Sequence, residues 1–281
     1  MEFSKAELRI LEQIAGGNRE IKKIALALSK NKSQIYSTGQ KLISKGIITR
    51  AEGLYKPNRI THVTLLLQLL SQNPSIISSL SNSGLKLLTS VLEEKKVSEI
   101  AQETGLKNAM IFRKLKEARR ISMVSAKSRK YFINKKIWPD ANEFLLELKR
   151  YEEATDSRVP ANSKIYFKNE KEIIFSTKES VDAALTAFSA YSNYGIKILL
   201  PEPIYCLPKR QLTLREIFLH SLYFTDKERS ASHMSFITLF YVKFRGKLSK
   251  IKHPLIDSIK KILAGEKIPG YPELNEIREK G

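Results

Sequence analysis

The side chains with the densest capacity for chemistry lie between residues 107 and 136. Eleven are basic, Lys107, Arg113, Lys114, Lys116, Arg119, Arg120, Lys127, Arg129, Lys130, Lys135 and Lys136, and Glu117 is the only acid among them. Ammonium and guanidinium groups at this density suit the holding of a polyanion, and arginine can also grip planar acceptors through two parallel hydrogen bonds. A solvated basic face is the plainer alternative, and composition does not choose between them. A second basic run, Lys243, Arg245, Lys247, Lys250 and Lys252, contains no acid across ten residues and reads first as a solvated face. Other chemistries are missing: there is no Gly-x-x-x-x-Gly-Lys-Ser/Thr loop, no paired-histidine metal motif and no Gly-x-Ser-x-Gly elbow. His62, His220, His233 and His253 are isolated, and His220, inside Leu219-His220-Ser221-Leu222, reads as a core histidine rather than a base. Cys206 is the single cysteine, so neither an internal disulfide nor a zinc cluster is expected, and its apolar strand context reads as packing. No catalytic residue, metal ligand or cofactor is expected, and the chain is not read as an enzyme.

The elements that position these groups must themselves be folded. The formal net charge of +20 is spread as +7, +6 and +7 over residues 1–75, 76–155 and 156–281, so no single tail carries it. At 42% hydrophobic the 281 residues can build packed cores, and at roughly 100–200 residues per domain they suggest two or three domains. No apolar signal core follows Met1, and the longest apolar run, Val63–Leu70, is far short of the ~20 residues that span a bilayer. A cytoplasmic protein without membrane contact is expected.

Sliding the sequence against itself places Ile24-Ala25 on Ile100-Ala101, Ile35-Tyr36 on Ile111-Phe112, Ile47-Ile48 on Met123-Val124 and Tyr55 on Tyr131, every pair 76 apart without a gap. Two consecutive copies of one module are implied. In the first, Ser4 and Glu7 form a capping box before the stripe Leu8, Leu11, Ile14 and Ala15; Ile21–Leu28 and Ser33–Lys45 read as further helices, and Ile47–Arg50 and Leu54–Lys56 as a hairpin around a glycine-containing tip. In the second, the helices are Leu85–Leu92, Val97–Thr104 and Asn108–Arg119, and the hairpin is Ile121–Ser125, a loop Ala126–Lys130, and Tyr131–Asn134. Ile60–Leu70 and Ala141–Tyr151 close the two copies as amphipathic helices.

This order resembles the winged helix-turn-helix family, with Ile111-Phe112-Arg113-Lys114-Leu115 before Met123-Val124 placed like its recognition helix leading into its wing. The resemblance implies a third helix in the major groove of double-stranded DNA and a wing against the phosphate backbone. With Ile35 and Leu42 inward, Lys32, Ser33, Gln34, Ser37, Thr38 and Lys41 face outward in the first copy. With Ile111, Leu115 and Ala118 inward, Lys107, Asn108, Met110, Arg113, Lys114 and Glu117 do so in the second. Arg113 suits guanine, Asn108 or Gln34 adenine, and Met110 a thymine methyl. Lys127, Arg129 and Lys130 suit phosphates at the second wing, and Arg50 and Lys56 flank the first, whose tip is Glu52-Gly53. The second module is expected to contribute more affinity. A protein-interaction or dimerisation role for either copy stays open.

After Arg158-Val159-Pro160 the offset finds no third copy, and a separate domain is expected over 158–281, following modules at 1–75 and 76–157. Lys164–Phe167 and Ile173–Ser176 read as a hairpin, Val181–Tyr194 as a helix, and Ile196–Leu200 and Ile204–Leu207 as strands. Thr213 with Glu216, then Thr225 with Glu228, read as helix starts, and Pro254–Ala264 as a last helix. The class is α+β: two tandem modules followed by a mixed α+β domain. Ala183–Ala190, Tyr194-Gly195, Pro201, Pro203-Ile204 and Leu207–Arg210 are similar to the C-terminal domain of AbiEi-type regulators, the antitoxin halves of nucleotidyltransferase toxin–antitoxin pairs. That resemblance implies a regulator of its own promoter with a toxin partner. A nucleic-acid enzyme and a non-specific architectural or replication protein are the alternatives from other classes. Tandem modules already form a pseudo-dimer, so a homodimer is compatible but not required.

Overall fold

A computed structural model, which describes residues 1–269, 271–273 and 275, shows an α+β chain of helices and short antiparallel sheets. It parts into two compact units, Met1–Glu152 and Glu153–Gly281. No described helix is long and apolar enough to cross a membrane.

In the first unit, the Ser4 hydroxyl accepts the Glu7 N–H at 3.2 Å while the Glu7 carboxylate accepts the Ser4 N–H at 2.6 Å. This reciprocal cap opens α1 (Lys5–Ala15), whose Leu8, Ile10, Leu11 and Ile14 turn inward. α2 (Ile21–Ala27) and α3 (Lys32–Ser44) pack on it, a hairpin of β1 (Ile48–Ala51) and β2 (Leu54–Pro57) follows, and α4 (Thr61–Gln72) returns along α1. A 3-10 turn, Pro74–Ile76, leads into the short α5 (Ile77–Leu80). The order then recurs as α6 (Gly84–Ser90), α7 (Val97–Thr104), α8 (Asn108–Arg120), β3 (Val124–Lys127), β4 (Lys130–Ile133) and α9 (Pro139–Ala154).

The 76-residue offset holds down to single hydrogen bonds. α3 and α8 have 13 residues each and bounds displaced by that number, as do the paired strands. Ile47 N–H donates to Leu42 and Asn58 N–H to Ile47; in the second copy Met123 donates to Ala118 and Asn134 to Met123. The left-handed positions recur too, Ser29 with Gly105, Gly46 with Ser122, Glu52 with Ser128 and Gly53 with Arg129. Two consecutive positive φ angles match the twist of a two-residue hairpin turn. The loop expected over Ala126–Lys130 is therefore only Ser128-Arg129, and Lys127 pairs with Lys130 as the last rung of the ladder. One hydrophobic core runs from Phe3 to Leu148 through both copies, and α5 packs on α1, α6 and α8 to join them.

In the second unit, a four-stranded antiparallel sheet has the order β5-β6-β8-β7, with β5 (Lys164–Lys168), β6 (Ile173–Ser176), β7 (Ala184–Leu185) and β8 (Ile204–Leu207). α10 (Leu214–Lys227), α11 (Ala231–Lys243), α12 (Arg245–Leu248) and α13 (Pro254–Leu263) bury Phe218, Phe240, Leu248 and Ile259 in a core that also takes Tyr166 and Ile174 from the sheet. Three expectations fail here. The helix expected over Val181–Tyr194 is instead β7 and a 3-10 helix, Ala187–Tyr194, because Thr186 is extended and its N–H donates to Ile204, extending the contact of β7 with β8. Residues 196–200 form no strand. Thr225 caps nothing: it lies inside α10 with its hydroxyl on the Ser221 carbonyl, and Ser230, accepting the His233 N–H, opens α11.

Candidate nucleic-acid interface

α8 has two faces of opposite character. Ile111, Leu115 and Ala118 are buried in the core, while Lys107, Asn108, Arg113, Lys116, Arg119 and Arg120 are exposed and Met110 is half-buried. Arg113 lies with a guanidinium nitrogen 2.8 Å from the Met110 sulfur. The hairpin that follows exposes Lys127 and Arg129 and half-buries Lys130. Among the described residues, none of Lys107, Arg113, Lys127, Arg129 and Lys130 has an acidic ion-pair partner. Unneutralised cations so placed are free to replace the counterions of a phosphate backbone.

Lys114 departs from the outward set. It is 4% exposed, and its ammonium donates to the Ser78 carbonyl at 2.9 Å and to Glu117 at 2.6 Å. Three residues beyond Ile111 it falls on the inner flank of α8, where α5 covers it, so it is not the outward residue expected to contact DNA. The equivalent residue, Thr38, is half-buried and with Gln34, Lys5, Arg9 and Lys30 lines an open cleft of about 500 Å³ beside α1. Lys32, Ser33, Gln34, Ser37 and Lys41 are exposed on α3, as expected. Arg50 and Lys56 are exposed on the first hairpin, and the Arg50 guanidinium sits 5.2 Å from the ring centre of Tyr36.

Two exposed aromatic residues lie outside the set expected from the sequence. Tyr36 is 44% and Phe112 53% exposed, at equivalent positions one residue after the buried Ile35 and Ile111. Each ring lies about 100° around its helix from that buried neighbour, and the repeat places an aromatic residue there twice. Phe112 joins Lys96, Ser98, Ser128, Arg129 and Tyr131 around a cleft of about 500 Å³ between the start of α7, α8 and the second hairpin. Two rings, two cations and three hydroxyls around one cleft have the chemistry to seat a sugar–phosphate strand.

In the second unit, Cys206 and His220 are both buried. Burial, with the Glu172 carboxylate nearby, pushes the free Cys206 thiol up to about 11. Compared with models of protein families, with curated proteins and with solved structures, the chain matches none.

Proposed function

We propose that residues 1–152 are tandem winged helix-turn-helix modules and that the chain is a sequence-specific, double-stranded DNA-binding transcriptional regulator. In this reading α3 and α8 enter major grooves, and the two hairpins act as wings on phosphates. The observation that carries it is the exposed, unneutralised basic face of α8 continuing into Lys127 and Arg129, on a helical scaffold that repeats at a constant offset. The second module supplies most of the affinity, because its wing tip is Ser128-Arg129 where the first has Glu52-Gly53.

The test is enrichment of random duplex DNA on the purified chain, followed by affinities for the winner and a scrambled duplex between ~50 and ~200 mM salt. A selected motif that keeps a margin of roughly a thousandfold over scrambled DNA at the higher salt supports the regulator. Equal binding of both duplexes that vanishes with salt overturns it in favour of an architectural role.

A second reading, an AbiEi-like antitoxin that regulates its own promoter, is favoured by Leu199, whose side chain is fully exposed beside a cleft of about 640 Å³ lined by Ile198, Pro201, His233 and Phe236. Such apolar exposure suits a protein partner. It predicts co-purification with a nucleotidyltransferase encoded beside this chain, and failure of the pair to associate removes it while leaving the DNA reading standing.

A further inference from the structure

Three elements of the second unit bring together one thiol, one imidazole and one carboxylate. Cys206 is on the inner strand β8, His220 on α10, and Glu172 in the turn between β5 and β6. One ligand atom from each lies within 4.8 Å of the other two. Cys206 and His220 have no solvent exposure, and Glu172 is the partly open member of the set.

The hydrogen bonding around His220 is what singles the cluster out. Its Nδ1 is 2.7 Å from the hydroxyl of Thr186, itself fully buried. Among the described residues its buried Nε2 has no hydrogen-bond partner, and it faces a Glu172 oxygen at 3.6 Å. That gap is too long for a hydrogen bond. It is close to the separation of two ligands on one tetrahedral ion: with metal–nitrogen and metal–oxygen bonds of about 2.0–2.2 Å, two such atoms sit roughly 3.4 Å apart. When the Nδ1–H donates to Thr186, the Nε2 lone pair and the carboxylate are two electron-pair donors turned on the same point, and the tautomer is held by an outer partner as in protein metal sites.

We propose that Glu172, Cys206 and His220 bind one divalent transition-metal ion of the zinc type, with water as the fourth ligand. A thiolate and an imidazole select a borderline ion over magnesium or calcium, whose coordination is all oxygen. Arg210 bridges Glu172, at 3.0 Å, and Glu216, at 2.6 Å. It keeps Glu216 when Glu172 turns to the ion, so its charge stays neutralised. The ion would tie α10 to the sheet, and its entry is from the Glu172 side. The site lies entirely within residues 153–281 and does not depend on the DNA reading.

The test uses full-length, tag-free protein stripped with a chelator and kept reduced, titrated with Co²⁺ and then with Zn²⁺. Cys206 is the only cysteine, so thiolate-to-cobalt charge-transfer absorption can arise from no other residue of the chain. One equivalent of Co²⁺ is expected to produce that absorption, and Zn²⁺ to displace it. Cys206→Ser is expected to abolish the band. Should that variant fail to fold, Glu172→Gln, at a partly open position, is the second arm, and at least a tenfold loss of affinity is expected. Absence of the band in the wild-type protein, or unchanged Co²⁺ affinity in Glu172→Gln, overturns the proposal.

Discussion

The phenolic oxygen of Tyr55 occupies the place where a β-carbon on Gly39 would stand: such a carbon would lie 2.0 Å from it. Tyr55 is fully buried, and its hydroxyl donates to the Ile35 carbonyl at 3.3 Å, so the first hairpin is pinned to the middle of α3 through a glycine that has no steric alternative. The second copy meets the same geometry differently, with Leu115 at the equivalent of Gly39 and a half-buried Tyr131. Gly39→Ala is therefore expected to destabilise the first unit by about 1–3 kcal/mol despite the better helix propensity of alanine. Tyr55→Phe, which loses one hydrogen bond and only the volume of the hydroxyl, should cost about 1 kcal/mol. Urea unfolding of both variants checks the order, and a neutral Gly39→Ala would contradict the packing.

Lys114 and Arg113 are neighbours in sequence with opposite fates. Lys114→Ala removes the donor to the Ser78 carbonyl and strands Glu117 beside it, so a loss of about 1–3 kcal/mol of stability is expected with the salt dependence of DNA binding unchanged. Arg113→Ala should leave the melting transition near its original position and weaken DNA binding by about 1–3 kcal/mol. Paired calorimetry and binding isotherms separate the two. The assignment fails if Lys114→Ala, at equal folding, reduces the salt slope.

Legibility in the sequence divides along the range of the forces involved. Helices α1 to α3 and their copies could be read because Ser4, Glu7, Leu8 and Leu11 act within a turn or two of one another, and because Ile35, Ile47 and Tyr55 are each echoed 76 residues later. The burial of Lys114 could not, since the cover comes from Ser78 on α5, an element with no counterpart in the spacing of α8 itself. Thr186 is a similar case: a helical run of small residues was redirected by an edge contact to Ile204, far along the chain. The exposure of Tyr36 and Phe112 was not legible either, because neighbouring helix residues can both be buried, as Ile10 and Leu11 are. Glu172, Cys206 and His220 are separated by 34 and 14 positions, and no motif joins them; only the sheet and α10 do.

Glu7 is buried, which by itself raises its carboxyl, but the bond from the Lys45 ammonium at 2.6 Å, the Ser4 contacts and the Lys45 charge outweigh burial and hold it below the usual range. A carboxyl lowered in the folded state adds stability in full above its unfolded value near 4.3, and that contribution fades as pH falls through the lower folded value. Glu7→Gln should accordingly be less stable than the wild-type chain at about pH 7, and the gap should narrow steadily below about pH 4. Denaturant midpoints across that range give the measurement. A gap that stays constant with pH would mean that packing, and not the Lys45 bond, accounts for the difference.

Arg129 holds φ +62° at the tip of the second hairpin, where the first has Gly53 at +78°. A side chain in the left-handed region costs about 1 kcal/mol, and the guanidinium there has no acidic ion-pair partner among the described residues. That backbone is the one a two-residue hairpin turn requires, and it leaves the guanidinium exposed. Arg129→Gly should raise stability by up to about 1 kcal/mol, the relief of strain being partly offset by greater freedom of the unfolded chain. The same change should lower DNA affinity and reduce the slope of log affinity against log salt by about one. Arg129→Asn, which tolerates the same backbone without the charge, should reproduce the loss of slope. If both variants bind DNA as the wild-type chain does, the second hairpin is not a wing on phosphate.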